Sequence, residues 1–597
     1  MRMWCGSRMA RWVTASLAIA ISASVAMTAE EPGSKDAKSK VTAKDAKAGS
    51  EKSSSEKSSS EKPAAETKPA GKKREEFTTG SSDVLISFIN EQIRQGWADN
   101  EVEPSEVAGD GEWIRRVYLD IVGHVPPMED IEKFLADKDK AKRSKLIDKL
   151  LDDPAYVRHW TTVWANLTIG QTAPRDVSRK GMEKFLREAF TRNRPWNEVV
   201  VDIVAAEGNY EENGAVNYIL AQMVMPDDGV QATAKTTRLF MGMQVQCTQC
   251  HNHPFNDWQQ RQFWEFNNFF RQLTKRTVQK YDAKAGRNVT DYVELNRRDN
   301  VDDHVTYERR NGLIEAAYPR YFGQDADVAK KDKDGWDVNR REVLAKLMTE
   351  GEKPLVSLAM VNRMWSQFFG YGFTKPVDDL GPHNPASHPE LLERLGSEFV
   401  KSRYDVKQLV RWICNSEAYN LTSQASKANE EKDNPAAGTT ALFSHVYLKS
   451  MSAEQLYDSL IVATNAHKSG RSSWEQAEDK KRVWLRQFVT TFGTDEGDES
   501  TTFNGSIPQA LMMMNGELVK DAISAQKGSF LNTILSETPQ DKDRIRRLYL
   551  TTLGRNPNAK EQQMAAGVVR VPNDQKLAAY QDMFWALLNS NEFIFIH

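Results

Sequence analysis

The feature that most limits what this chain can fold into is a helix-and-stop unit that occurs twice. Ile114-Arg115-Arg116-Val117-Tyr118-Leu119, followed by Gly123 and Pro126, returns as Ile545-Arg546-Arg547-Leu548-Tyr549-Leu550, followed by Gly554 and Pro557 at the same offsets. In each copy apolar residues recur at helical spacing, a glycine can close the helix in a left-handed cap, and proline prevents continuation. Two similar helix-turn units, one in each half of the chain, are therefore predicted.

The same alternation of helical period and breaker runs through most of the sequence. Val84, Leu85, Phe88, Ile89 and Ile93 predict a first helix starting near Asp83, and further helices are predicted over 128–135, 144–151, 157–167, 182–190, 196–206, 231–243, 355–369, 390–399 and 406–414. The stretch 208–229 reads as an irregular connection. Character changes after Leu273, where Arg276-Thr277-Val278, Thr290-Asp291-Tyr292-Val293 and Val305-Thr306-Tyr307 are short β-prone pieces. The predicted fold is mainly α. It is a multi-helical two-domain protein, 83–275 and 337–597, with a small β-containing insertion over 276–336 and a disordered N-terminal tether.

The first 29 residues read as a signal peptide: Arg2, Arg8 and Arg11 precede an apolar stretch over 12–26, with small residues at Ser24, Ala26 and Ala29 for cleavage. From 30 to 82 the chain is rich in Lys, Ser, Glu and Ala, and a segment so poor in large apolar residues cannot offset its ordering entropy. No later stretch approaches the roughly 20 apolar residues that cross a bilayer. These features predict an exported protein, periplasmic or at the cell surface, with no stable membrane span in the mature chain. A net charge of −3 with interleaved signs gives no electrostatic case for nucleic acid.

One stretch carries redox or metal chemistry: Cys247-Thr248-Gln249-Cys250-His251-Asn252-His253-Pro254. C-x-x-C-H is the pattern of c-type haem attachment. Cysteines at i and i+3 of one helical turn face the same way, so both sulfurs can reach the vinyl groups of one porphyrin. His251 can then approach the iron as axial ligand. Two other readings stand beside this one: a local disulfide between Cys247 and Cys250, and a structural zinc site of Cys247, Cys250 and His253. Haem attachment does not require His253, and two residues beyond His251 it cannot reach the opposite face of the same iron. Met241 and Met243 lie close in sequence but read as packing. The aromatic run Phe255, Trp258, Phe263, Trp264, Phe266, Phe269 and Phe270 can either wall a porphyrin or form core. After the signal segment the remaining cysteine is Cys414, read as a buried core thiol. Residues 381–389, with His383 and His388, read either as a functional loop or as a turn packed by prolines.

The motif region through Trp258, together with 114–127, resembles the planctomycete cytochrome-type domain of unknown function, PSCyt. Met360-Val361-Asn362-Arg363-Met364-Trp365, Asp379-Leu380-Gly381, Ser387-His388-Pro389-Glu390-Leu391-Leu392 and Ser506-Ile507-Pro508-Gln509-Ala510-Leu511 resemble its companion planctomycete/spirochaete domain, PSD. The resemblance implies an exported two-domain protein without an established activity. Asn252 and Asn256 stand where relatives often carry Asp, which weakens a metal site relying on those carboxylates.

Two function classes follow. The first is a mono-haem c-type cytochrome or haem-dependent redox protein, serving electron transfer with an extracytoplasmic redox partner. The second is a cell-surface binding or scaffold protein in which the cysteine pair forms a disulfide or holds zinc. For a hydrolase there is no nucleophile elbow, P-loop, dinucleotide fingerprint or H-E-x-x-H helix.

Overall fold

The computed structural model describes residues 83–225, 228–326, 328, 331, 335–350, 354–493 and 506–597. The expected signal peptide and the linker over 30–82 lie outside the described residues. The fold is mainly α with small sheets, and its organising element is the first copy of the repeated unit, the helix Asp110–Val122. Asp110 and Glu112 favour its N-terminal dipole, and Gly123 ends it at φ 79° in the left-handed region. Every side chain from Trp113 to Val122 is buried. Burying each large apolar residue such as Ile114 or Ile121 stabilises by about 1.5–3 kcal/mol.

Most of this helix belongs to a core of residues from Leu85 to Tyr447 that Leu550 of the second copy joins, while Leu119 and the following Val125 belong to a second core otherwise built from residues between Met451 and Ile596. Apolar packing thus divides near residue 450, and the segments 83–275 and 337–447 share one core.

The second copy of the unit, Asp541–Leu553, also ends on a left-handed glycine, Gly554 at φ 74°. The two copies meet. Arg115 donates from Nη1 to Thr552 O at 2.8 Å, capping the last turn of the second helix, and from Nη2 to Phe593 O at 2.5 Å. Arg116 satisfies Tyr419 O and Leu421 O at 2.6 and 2.9 Å. Asp120 pairs with Lys449 at 2.6 Å and accepts from Tyr419 Oη at 2.7 Å. Charges this deep persist only because they are paired and hydrogen-bonded.

The β-prone pieces form hairpins. Leu273–Asp282 pairs antiparallel with Arg287–Arg297, whose other edge takes Gly208–Asn209. Val305–Glu308 pairs with Ile314–Ala317, and Arg320–Tyr321 with Gln324–Asp325. Trp264 stacks on Tyr307 at 6.0 Å, which seats this insertion against the helix Gln260–Asn267 that follows the cysteine motif.

Two expectations need correction. The stretch 208–229 contains a short helix, Val216–Ala221, with Val216 through Leu220 buried. The helix expected over 231–243 is Val230–Met241, because Gly242 turns left-handed at φ 65° and sends its N–H back to Thr237 O.

Candidate functional site

That left-handed turn aims the chain into the motif. Leu380 donates its N–H to Gly242 O at 2.6 Å, and a side chain at residue 242 would meet Leu380 at 2.9 Å. The turn Gln246–Gln249 then winds around Thr248, which is fully buried and donates from both N and Oγ1 to Val245 O. The cysteines before and after it point out: Cys247 and Cys250 are both exposed free thiols. Gln249 O is fixed by Gln260 Nε2 at 3.0 Å and Trp264 Nε1 at 3.2 Å. The helix after the motif therefore clamps the turn while leaving both sulfurs outside.

The three histidines near the thiols differ in which nitrogen is free. His251 Nδ1 donates to Asn252 O at 2.7 Å; a carbonyl only accepts, so the Nε2 lone pair is available. His253 is the reverse. Its Nδ1 accepts from the backbone N–H of Phe255 and Asn256 at 3.2 and 3.1 Å, so its lone pair is occupied. Burial, with the His383 imidazole beside it, holds His253 below the ordinary histidine range.

His383 comes from the second half of the chain. Its ring centroid lies 5.4 Å from that of His253. Asp379 Oδ2 accepts from His383 Nε2 at 3.1 Å, leaving the lone pair on Nδ1. The His383 side chain is 9% exposed, and its Nδ1 has no hydrogen-bond partner among the described residues. The loop is fastened to the approach of the motif by Asp378, which accepts from Arg238 Nε at 2.5 Å and Gln244 Nε2 at 2.7 Å. Asn362 holds it from the other side, bonding Thr374, Val377 O and Phe373 N. Partial desolvation at the protein surface pushes the Cys247 thiol up, and the charge on Asp379 adds to that shift.

The remaining expected residues separate cleanly. Trp258, Phe263, Phe266, Phe269 and Phe270 are core, whereas Phe255 is 79% exposed beside His253. Met241 is fully buried and Met243 half-buried against the same core. Cys414 is a buried thiol. His388 packs between Phe373 and Phe443 as a core histidine, held down to about 4 by burial. Asn252 Oδ1 accepts from Gln260 N and Asn256 Oδ1 from Trp258 N, bonds that a carboxylate would make equally. Among the described residues no three His, Cys, Asp or Glu side chains converge as a metal-binding group. A zinc site of Cys247, Cys250 and His253 would also require His253 to give up both backbone donors.

The site's donor set fits a covalently held porphyrin better than a bare ion. Two outward sulfurs on one turn and an imidazole with Nε2 free are what haem c attachment uses. The Nδ1–H to carbonyl bond is the orienting contact that metal-bound imidazoles characteristically keep.

Comparison with known families gives two matches. The model of PSCyt2, protein of unknown function (DUF1549), matches residues 88–275, and that of PSD1, protein of unknown function (DUF1553), matches residues 340–569. No curated protein and no solved structure matches the chain. No helix among the described residues is long and apolar enough to cross a membrane.

Proposed function

We propose, for a chain that belongs to the family joining the PSCyt2 and PSD1 domains, that it is an exported mono-haem c-type redox protein acting outside the cytoplasm. Cys247 and Cys250 would hold the haem through thioethers, and His251 would be its axial ligand. The observation that carries this reading is the His251 tautomer: Nδ1 bonded to Asn252 O, Nε2 free, beside two exposed thiols. When bound, the haem supplies a one-electron iron couple. The chain's own part is to fix that group: buried Thr248 keeps the turn tight, and Gln260 and Trp264 hold its carbonyl. The exposed motif edge, with Phe255 beside it, suits contact with an extracytoplasmic redox partner.

The test is the visible spectrum of the denatured protein, exported from a host with haem c maturation, against a Cys247→Ala, Cys250→Ala variant. Soret absorption that survives denaturation and vanishes in the variant supports the reading. A denatured wild-type protein without Soret absorption overturns it.

A further inference from the structure

We propose that the cavity between the second copy of the repeated unit and the two helices that follow it binds a small organic anion, one carrying a carboxylate or phosphate on an apolar body. The site does not depend on the haem reading and lies at the edge of the second core. The cavity has a volume of about 620 Å3, within the roughly 300–1,000 Å3 of small-molecule sites. Its walls come from the start of the helix Asp541–Leu553, from Gln562 and Ala566 of the helix Ala559–Val568, and from the turn that opens the helix Asn573–Leu588.

Lys542, Arg570 and Lys576 bring three cations to this cavity, against the single carboxylate of Asp541. That carboxylate is already committed. Its Oδ2 accepts from Lys576 Nζ at 2.9 Å, and its Oδ1 from Tyr580 Oη at 2.8 Å and Arg544 Nη1 at 3.3 Å. Lys542 and Arg570 have no ion pair and no side-chain hydrogen bond among the described residues. Asp543 and Asp574, which stand in the same first helical turns, do not line the cavity. Two positive charges are therefore left uncompensated within it.

The backbone acts in the same direction. The helices Asp541–Leu553 and Asn573–Leu588, of 13 and 16 residues, both supply lining residues from their first turns, and neither N-terminus has a side-chain cap. The positive ends of both dipoles favour an anion there. The deeper lining is apolar: Ile545 and Val569 are buried, and Ala566 and Val571 half-buried. A bare inorganic anion would leave that surface wet, whereas an organic acid covers it while its head group meets Lys542 and Arg570. The Arg570 guanidinium offers paired donors to a carboxylate or phosphate, and Lys542 adds a point charge.

The experiment uses the full chain, with hexanoate, hexyl phosphate and hexanol as probes titrated by saturation-transfer difference NMR. At least one of the two anions is expected to bind saturably, with hexanol at least about tenfold weaker. A Lys542→Gln, Arg570→Gln double variant, which neutralises two exposed side chains, should weaken the anion at least about tenfold and leave hexanol unchanged. Lys560→Gln, an exposed cation outside the cavity, should leave both unchanged. No saturable binding of either anion overturns the assignment, as does hexanol binding as tightly as the anions; neither result needs a variant to fold. An undiminished affinity in the double variant overturns it too. A chain without haem leaves it standing.

Discussion

Replacing Lys449 with methionine removes the cation at the centre of the fold while keeping most of the side chain's volume. Lys449 and Asp120 are each 2% exposed and lie 2.6 Å apart. Lys449 Nζ also donates to Gln367 O and Phe368 O at 2.7 and 2.8 Å, at the end of the helix Leu355–Phe369 that leads into the His383 loop. Breaking a buried pair costs about 3–5 kcal/mol. Here Asp120 keeps the Tyr419 hydroxyl, and the Arg116 charge still acts on it, so about 3 kcal/mol is the appropriate figure. The two carbonyls left without a donor add about 1 kcal/mol each. Lys449→Met should therefore lose about 5 kcal/mol in urea unfolding followed by tryptophan fluorescence. Asp120→Leu alone strands the ammonium and should lose about 3 kcal/mol. The double variant removes both charges together, so its loss should fall well short of the summed singles. Strict additivity, or a Lys449→Met loss under about 1 kcal/mol, would refute this account of the core.

Three further outcomes follow from the same contacts. Burial holds His388 near 4, so it stays neutral in the folded protein where it would charge in the unfolded chain. Its contribution is present above about pH 6.5, is lost as pH falls towards 4, and amounts to about 3 kcal/mol; His388→Gln should flatten that part of the stability–pH curve. Gly242→Ala forces a side chain into the left-handed region against Leu380, and should lose at least about 1–2 kcal/mol and speed hydrogen exchange at the Leu380 amide. Asn252→Asp and Asn256→Asp keep their acceptor roles, so each should change stability by less than about 0.5 kcal/mol in the same urea assay.

Much of the fold was legible because apolar period and breakers agree locally. The helices Leu355–Phe369 and Val406–Cys414 fall where their patterns place them, and all three β-prone pieces lie in strands. Val216–Ala221 was not legible: its first five residues are all buried, so they show no amphipathic period, and the surrounding glycines and charges favour an irregular reading. The repeated unit was visible, yet nothing in it reveals that Arg115 of one copy caps the other. At the site, the cysteine motif is written locally, but the tautomers that distinguish His251 from His253 depend on where the following backbone turns. Residues 381–389 hold two histidines, and sequence could not divide them. Tertiary packing does: His388 enters the core beside Gly96 and Phe443, while His383 stays beside His253. Their partners are distant in sequence, and no local period encodes such a meeting.

The most direct test of the haem centre is the mass of the tryptic peptide from Leu239 to Arg261, which contains Cys247, Cys250 and His251, taken from protein matured in a haem c-competent host. The account predicts this peptide with one haem added across both sulfurs and no free-thiol form. A peptide at its unmodified mass, or lighter by the two hydrogens of a Cys247–Cys250 disulfide, would contradict it.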